Sequence, residues 1–189
     1  MKRESNVRYI LRLSLTLLVI TSVMAALLAG VNAVTAPIIA AQTAEKTRQA
    51  IAEVLPGVTG YSQIDFTDDT GLVTRVYRET LSSGGNRYAV EVAPAGFGGS
   101  ITMMVGVDTD GSVLGVRVID HSETAGLGAV AAADSAAGQA FRDGFLGQTG
   151  SVAVTKDGGT VDALTGATVT SRAVCQGVNA ALACAAGLS

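Results

Sequence analysis

No charged residue occurs between Leu13 and Gln42, and this run constrains the chain more than any other feature. In a bilayer each backbone amide and carbonyl has to find a partner within the protein, which a helix achieves inside one segment. The stretch LSLTLLVITSVMAALLAGVNAVTAPIIA exceeds the roughly 20 apolar residues needed to cross the hydrocarbon. Arg12 stands at its start, where a long basic side chain reaches the interface. The expected division is a cytoplasmic amino terminus over residues 1–12, a transmembrane helix over 13–35 and a folded part over 36–189.

Charge sets the expected orientation. The first twelve residues hold Lys2, Arg3, Arg8 and Arg12 against Glu4, a net +3, while the rest holds nine basic and fifteen acidic residues, a net −6. Basic residues ahead of a span keep that end in the cytoplasm, so the folded part is expected outside. A cleaved signal peptide competes with a retained anchor, because Val31-Asn32-Ala33 and Val34-Thr35-Ala36 resemble small-residue cleavage sites. The apolar run from Leu13 to Gly30 is longer than a signal core of about 7–15 residues, which favours the anchor. Both readings export the folded part.

Roughly 150 residues beyond the helix suffice for one core. Their acidic balance lacks the basic footprint of a nucleic-acid-binding protein, so no nucleic-acid partner is expected. Cys175 and Cys184 lie nine positions apart in what reads as one helix, about 13 Å along its axis. That exceeds the reach of a disulfide. Both read as small buried hydrophobes.

The exported part reads as α+β, with a largely antiparallel sheet and flanking helices. Residues 37 to 55 carry Ala44, Thr47, Ile51, Val54 and Leu55 at helical steps, which predicts an amphipathic helix opening at Pro37 and stopped by Pro56-Gly57. Val73–Arg78 and Tyr88–Val92 read as strands joined by Ser82-Ser83-Gly84-Gly85-Asn86. Ile101–Val107 and Val113–Ile119 flank Asp108-Thr109-Asp110-Gly111, a hairpin signal. A calcium loop starting at Asp108 would need a glycine where Val113 stands and a glutamate where Ile119 stands. Ala131–Phe145 reads as partly helical, Val152-Ala153-Val154 as a short buried strand and Lys156-Asp157-Gly158-Gly159 as a turn. Ser171–Ala186 reads as a closing helix.

The stretch Asp162-Ala163-Leu164-Thr165-Gly166-Ala167-Thr168-Val169-Thr170-Ser171 carries the chemistry. Gly166 and Ala167 let backbone amides approach an oxyanion, and the following helix adds the positive end of its dipole. A phosphate on Thr168 would sit there among amide donors. An ordinary N-cap is the alternative, since Thr and Ser commonly open helices. His121 is the only histidine and lacks the partners of a metal site, so no metal is assigned. No catalytic acid, base or nucleophile set is visible. Gly96-Phe97-Gly98-Gly99 lacks the Lys-Ser/Thr continuation of a P-loop.

Asp162-x-x-Thr165-Gly166-Ala167-Thr168 resembles the acceptor motif of FMN-binding domains modified by FAD:protein FMN transferases. The resemblance implies covalent FMN on Thr168 through a phosphoester, with Asp162, Thr165, Gly166, Ala167 and Thr168 recognised by the transferase. Gly96–Gly99, the hairpin, His121–Gly128 and Lys156–Gly159 follow in the order found in the G subunit of the Rnf ion-translocating electron-transport complex. Ala125 departs from the E-T-P-G-L-G loop of that family, which should loosen the loop by adding backbone entropy.

The resemblance further implies Thr124, Gly126 and Leu127 near the flavin ring and Thr165, Gly166 and Ala167 around the cofactor. Lys156 has two readings, a phosphate partner or a solvated turn. The implied setting is the bacterial or archaeal inner membrane, crossed once, with the folded domain on the periplasmic or extracytoplasmic face. The implied role is an electron relay between ferredoxin and NAD sides of a membrane complex, beside other membrane and peripheral subunits. The C subunit of the sodium-translocating NADH:quinone oxidoreductase, a stand-alone flavin reductase and a non-redox assembly protein are the competing readings.

Overall fold

Helix α1 runs over Lys2–Val54 without a break at Pro37, in a computed structural model that describes residues 2–188, with side chains from Arg8 onward. The helix expected to open at Pro37 is therefore the continuation of the apolar one. Proline removes one backbone donor, yet the helix continues through it. The chain divides into two units, one up to Glu45 and one from Lys46. The first is long and apolar enough to cross a membrane, with a mean hydropathy of 2.2 over its best window.

The second unit is built on five strands: β1 Ser62–Ile64, β2 Val73–Thr80, β3 Asn86–Val92, β4 Thr102–Val107 and β5 Val113–Asp120. They form one sheet in the order β1-β2-β3-β4-β5, each pair antiparallel. The Asp108–Gly111 hairpin forms as expected: the Asp108 amide donates to the Ser112 carbonyl at 2.8 Å, and Gly111 takes the positive φ of 79° that the turn needs. Helix α2 covers Ala136–Asp143 and α3 covers Thr168–Ala186. This is the expected α+β arrangement. β1 escaped sequence reading because its three residues are at most half-buried and show no alternation.

Alternate residues of the strands supply two cores. Tyr88, Val90 and Val92 of β3 and Met103, Val105 and Val107 of β4 join Phe141, Phe145, Val174, Val178 and Ala181 on one face. Ala89 of β3, Met104 of β4 and Tyr77 of β2 face Ile51, Val54 and Leu55 at the end of α1 on the other. Thr47 and Ala50 are buried with them, while Ala44 is exposed. Gly106 and Gly115 are register partners. A side chain on Gly106 would strike the Val54 carbonyl, and one on Gly115 would lie 3.1 Å from Val54 Cα, so these glycines admit the helix.

Two further predicted elements differ. Val152-Ala153-Val154 is not a strand: only Val154 pairs, in an isolated parallel bridge to Val161. The Asn179 side chain replaces a neighbouring strand by accepting from the Val152 amide at 2.7 Å and donating to its carbonyl at 2.9 Å. The closing helix begins at Thr168, three residues before Ser171. The Ser171 hydroxyl donates to the Ala167 carbonyl and accepts from the Leu164 amide, both at 3.0 Å. Ser171 thus braces the first turn from inside the helix. Both cysteines lie buried and free on α3, and burial pushes the Cys175 thiol up to about 11.

Candidate functional site

Thr168 occupies the first position of α3. The N-cap is Ala167, which has no side-chain acceptor to offer, so the N-cap reading of Thr168 does not hold. Its half-buried hydroxyl is free for other work, and Lys156 Nζ donates to Thr168 Oγ1 at 3.3 Å. The first amides of a helix have no partner within it, and they point to the same end. Thr168 therefore presents a hydroxyl between a cation and the positive pole of a helix of 19 residues.

Lys156 is held there by its own turn. Residues Thr155–Asp157 form one 3₁₀ turn closed by Gly158 at φ 84°. The neighbouring Asp157 accepts two bonds from Arg172 on α3, both at 2.7 Å. That pairing, with its added charge attraction, holds the Asp157 carboxyl below the usual carboxylate range. Lys156 thus belongs to a turn, as one reading had it, and that turn is tied to the helix bearing Thr168.

Around Thr168 lies a cavity of about 370 Å³ lined by Phe97, Glu123, Thr124, Leu127, Gly128, Lys156 and residues 166–170. This volume is within the range of small-molecule sites. Gly166 adopts φ 75° and a side chain there would press on Leu127 Cδ2 at 3.0 Å. Leu127 ends the turn Thr124-Ala125-Gly126-Leu127, its amide donating to the Thr124 carbonyl at 3.1 Å. Gly126 has φ 76°, and Ala125 fills the second position, where turns of this pattern favour proline. Leu127 and Phe97 are 44% and 74% exposed, leaving two apolar faces open beside the hydroxyl.

The expected site residues do not all converge. Thr168, Gly166, Ala167, Lys156, Thr124 and Leu127 line the cavity just described. Asp162, Thr165 and Gly126 line a second recess of about 430 Å³ together with Leu127, Val130 and Phe141. Leu127 lines both. Asp162 and Thr165 are exposed. Phe97, Glu123 and Thr170 were not singled out for this role from sequence. Phe97 stands between glycines, an exposed aromatic that packing does not require, and this is the signal that marks it.

Residues 96–183 match the FMN-binding domain family, and residues 1–54 match the RnfG N-terminal region. The chain is 34% identical over 183 residues to the G subunit of the ion-translocating oxidoreductase complex of Methanosarcina acetivorans, covering 94% of this chain and 95% of that one. The chain belongs to the RnfG family. It is 30% identical over 194 residues to the G subunit of the Na(+)-translocating ferredoxin:NAD(+) oxidoreductase complex of Acetobacterium woodii, covering 94% and 92% of the two chains. The G subunit of the ion-translocating oxidoreductase complex of Aliivibrio fischeri is 43% identical over 116 residues, 57% of this chain and 53% of that one. The FMN-binding match of this RnfG family member begins at the Gly96–Gly99 loop and ends within α3. It therefore encloses the whole lining of the Thr168 cavity.

The residues present fit FMN. The Thr168 hydroxyl, the Lys156 cation and the amide end of α3 lie together where a phosphate would be held. Leu127 and Phe97 line the same cavity with exposed apolar surface that an apolar ring would meet. Oriented polar groups at one end and apolar walls at the other are what such a molecule requires.

Proposed function

We propose that this chain is an electron-transfer subunit of a membrane-bound ion-translocating oxidoreductase complex and that it carries FMN on Thr168 through a phosphoester. The observation that carries the attachment is the placement of Thr168 at the first position of α3, its hydroxyl against Lys156. Gly166 and Ala167 shape the approach to it, and Thr124 and Leu127 flank the ring, with Gly126 setting the turn that presents Leu127. Phe97 supplies a further apolar wall. When bound, FMN supplies one- and two-electron chemistry, while the protein supplies position and electrostatics.

Attachment through the phosphate leaves the ring without a covalent constraint, so its contacts set its properties. Lys156 offsets phosphate charge, and Asp157–Arg172 holds the Lys156 turn beside α3. A flavin transferase recognises the exposed Asp162 and Thr165 along with Gly166, Ala167 and Thr168. Domain boundaries follow the same reading: 1–12 in the cytoplasm, 13–35 in the membrane and 36–189 outside, where the transferase acts. The basic residues ahead of the span support this single-pass orientation. The complex joins this protein to other membrane and peripheral subunits, and electrons pass between ferredoxin and NAD sides. Family membership favours this reading over the quinone-reductase type of flavoprotein or an assembly role.

The test is a denaturing gel viewed for flavin fluorescence, with the full chain made in a host that exports a flavin transferase. The wild-type band should fluoresce and the Thr168→Ala band should be dark. A dark wild-type band from that host would sink the assignment.

A further inference from the structure

Three segments meet at one buried carboxylate beside the cavity. Glu123 is only 9% exposed. Its Oε1 accepts from the Gly98 amide at 2.8 Å, and its Oε2 accepts from the Thr170 hydroxyl. Its own amide donates to His121 Nδ1 at 3.2 Å. Glu79 and Glu91, also buried, pair with Arg87 and Arg75 as charge pairs between neighbouring strands. Glu123 instead spends both oxygens on neutral donors from segments far apart in sequence.

Each donor belongs to a different side of the cavity. Gly98 follows Phe97, Thr170 stands two residues after Thr168, and Glu123 itself leads into the Thr124–Leu127 turn. Side chains at Gly96 or Gly128 would run into the Glu123 carboxylate, so glycines on both sides leave room for it. A buried hydrogen bond is costly to break, because it strands its partners.

We propose that Glu123 is a positioning residue for the flavin. Its carboxylate locks the Phe97 loop, the Leu127 turn and the first turn of α3 into one frame, so the ring walls keep their register with the Thr168 tether. This rests on the reading of Thr168 as the FMN-bearing residue. Glutamine preserves the frame: its amide oxygen accepts from the Gly98 amide, and its NH₂ donates to the Thr170 hydroxyl, which also accepts. Alanine removes both links. Thr170→Val removes one of them with little change in shape.

The experiment uses the full chain in detergent, loaded with FMN in a host exporting the transferase. Gel fluorescence reports the tether, and visible circular dichroism reports whether the ring is held in one asymmetric setting. Glu123→Ala and Thr170→Val should keep the fluorescent band and lose most of the visible signal, while Glu123→Gln retains it. Should Glu123→Ala fail to fold, Thr170→Val alone carries the test. Labelled Thr170→Val with a wild-type visible signal overturns this inference and leaves the tether standing. A dark wild-type band overturns both.

Discussion

The two faces of the sheet are buried by different means. One meets the end of α1 through Ile51, Val54 and Leu55, with Gly106 and Gly115 letting the helix backbone come down onto the strands. The other meets α2 and α3 through bulkier side chains, Phe141 and Phe145 among them, whose rings touch edge to face with centroids 5.3 Å apart. The first adds a close backbone approach at Gly106 and Gly115 to its side-chain packing. The second is a side-chain core, and at the amino end of its α3 the packing opens into the Thr168 cavity. A face closed by side chains leaves room for a site at its margin.

That contrast can be broken by mutation. The largest effect is expected at Phe145, which is fully buried: Phe145→Ala should cost about 4 kcal/mol, against about 3 kcal/mol for Ile51→Ala on the other face. Thermal or denaturant unfolding of the full chain in detergent measures both. A greater cost at Ile51 would reverse the ranking of the two cores.

Glycine substitutions sharpen the same point. Gly106→Ala sets a methyl group against the Val54 carbonyl, a backbone atom that cannot step aside, and should cost about 3 kcal/mol. Gly177→Ala on α3 meets the flexible end of Met103, with Pro94 and Val92 at 3.0 Å. That strain is offset by the better helix propensity of alanine, worth about 1 kcal/mol. Its unfolding midpoint should stay much closer to wild type. Equal losses from the two would show that both faces are closed in the same way.

The smallest effect concerns the Asp157–Arg172 pair beside the site, which is exposed to solvent. The Asp157 carboxyl lies lower in the folded chain than its ordinary value of about 3.9, owing first to its bonds with Arg172. Its contribution is therefore complete above that ordinary value and disappears as pH falls through the lowered folded value. Asp157→Asn should be slightly less stable than wild type near neutrality, and the gap should close in acid. A gap that widens as pH falls would contradict this sign.

Much of the sheet was legible because its strands alternate and its turns carry glycine and aspartate. The Asp108–Gly111 hairpin is local chemistry, and local chemistry is written in adjacent residues. Helix starts were less legible. Ser171 looked like the opening of α3 because serine often caps helices, yet its hydroxyl braces the turn from within and Ala167 stands at the cap. Val152–Val154 looked like a strand because it is apolar, but its backbone partners come from Asn179, 27 residues onward. The acceptor motif pointed to Thr168 without showing that Asp162 and Thr165 face a different recess.

By itself the sequence determined the apolar helix, the charge asymmetry before it, the antiparallel strands and the Asp162–Thr168 stretch ahead of the last helix. Each depends on residues close together in the chain, where composition and spacing are sufficient. Tertiary structure alone decided that Lys156 reaches Thr168, that Leu127 lines two recesses and that Glu123 joins Gly98 to Thr170. Those contacts span 12 to 47 positions, and only the folding of the sheet and the docking of α3 bring such residues within bonding distance.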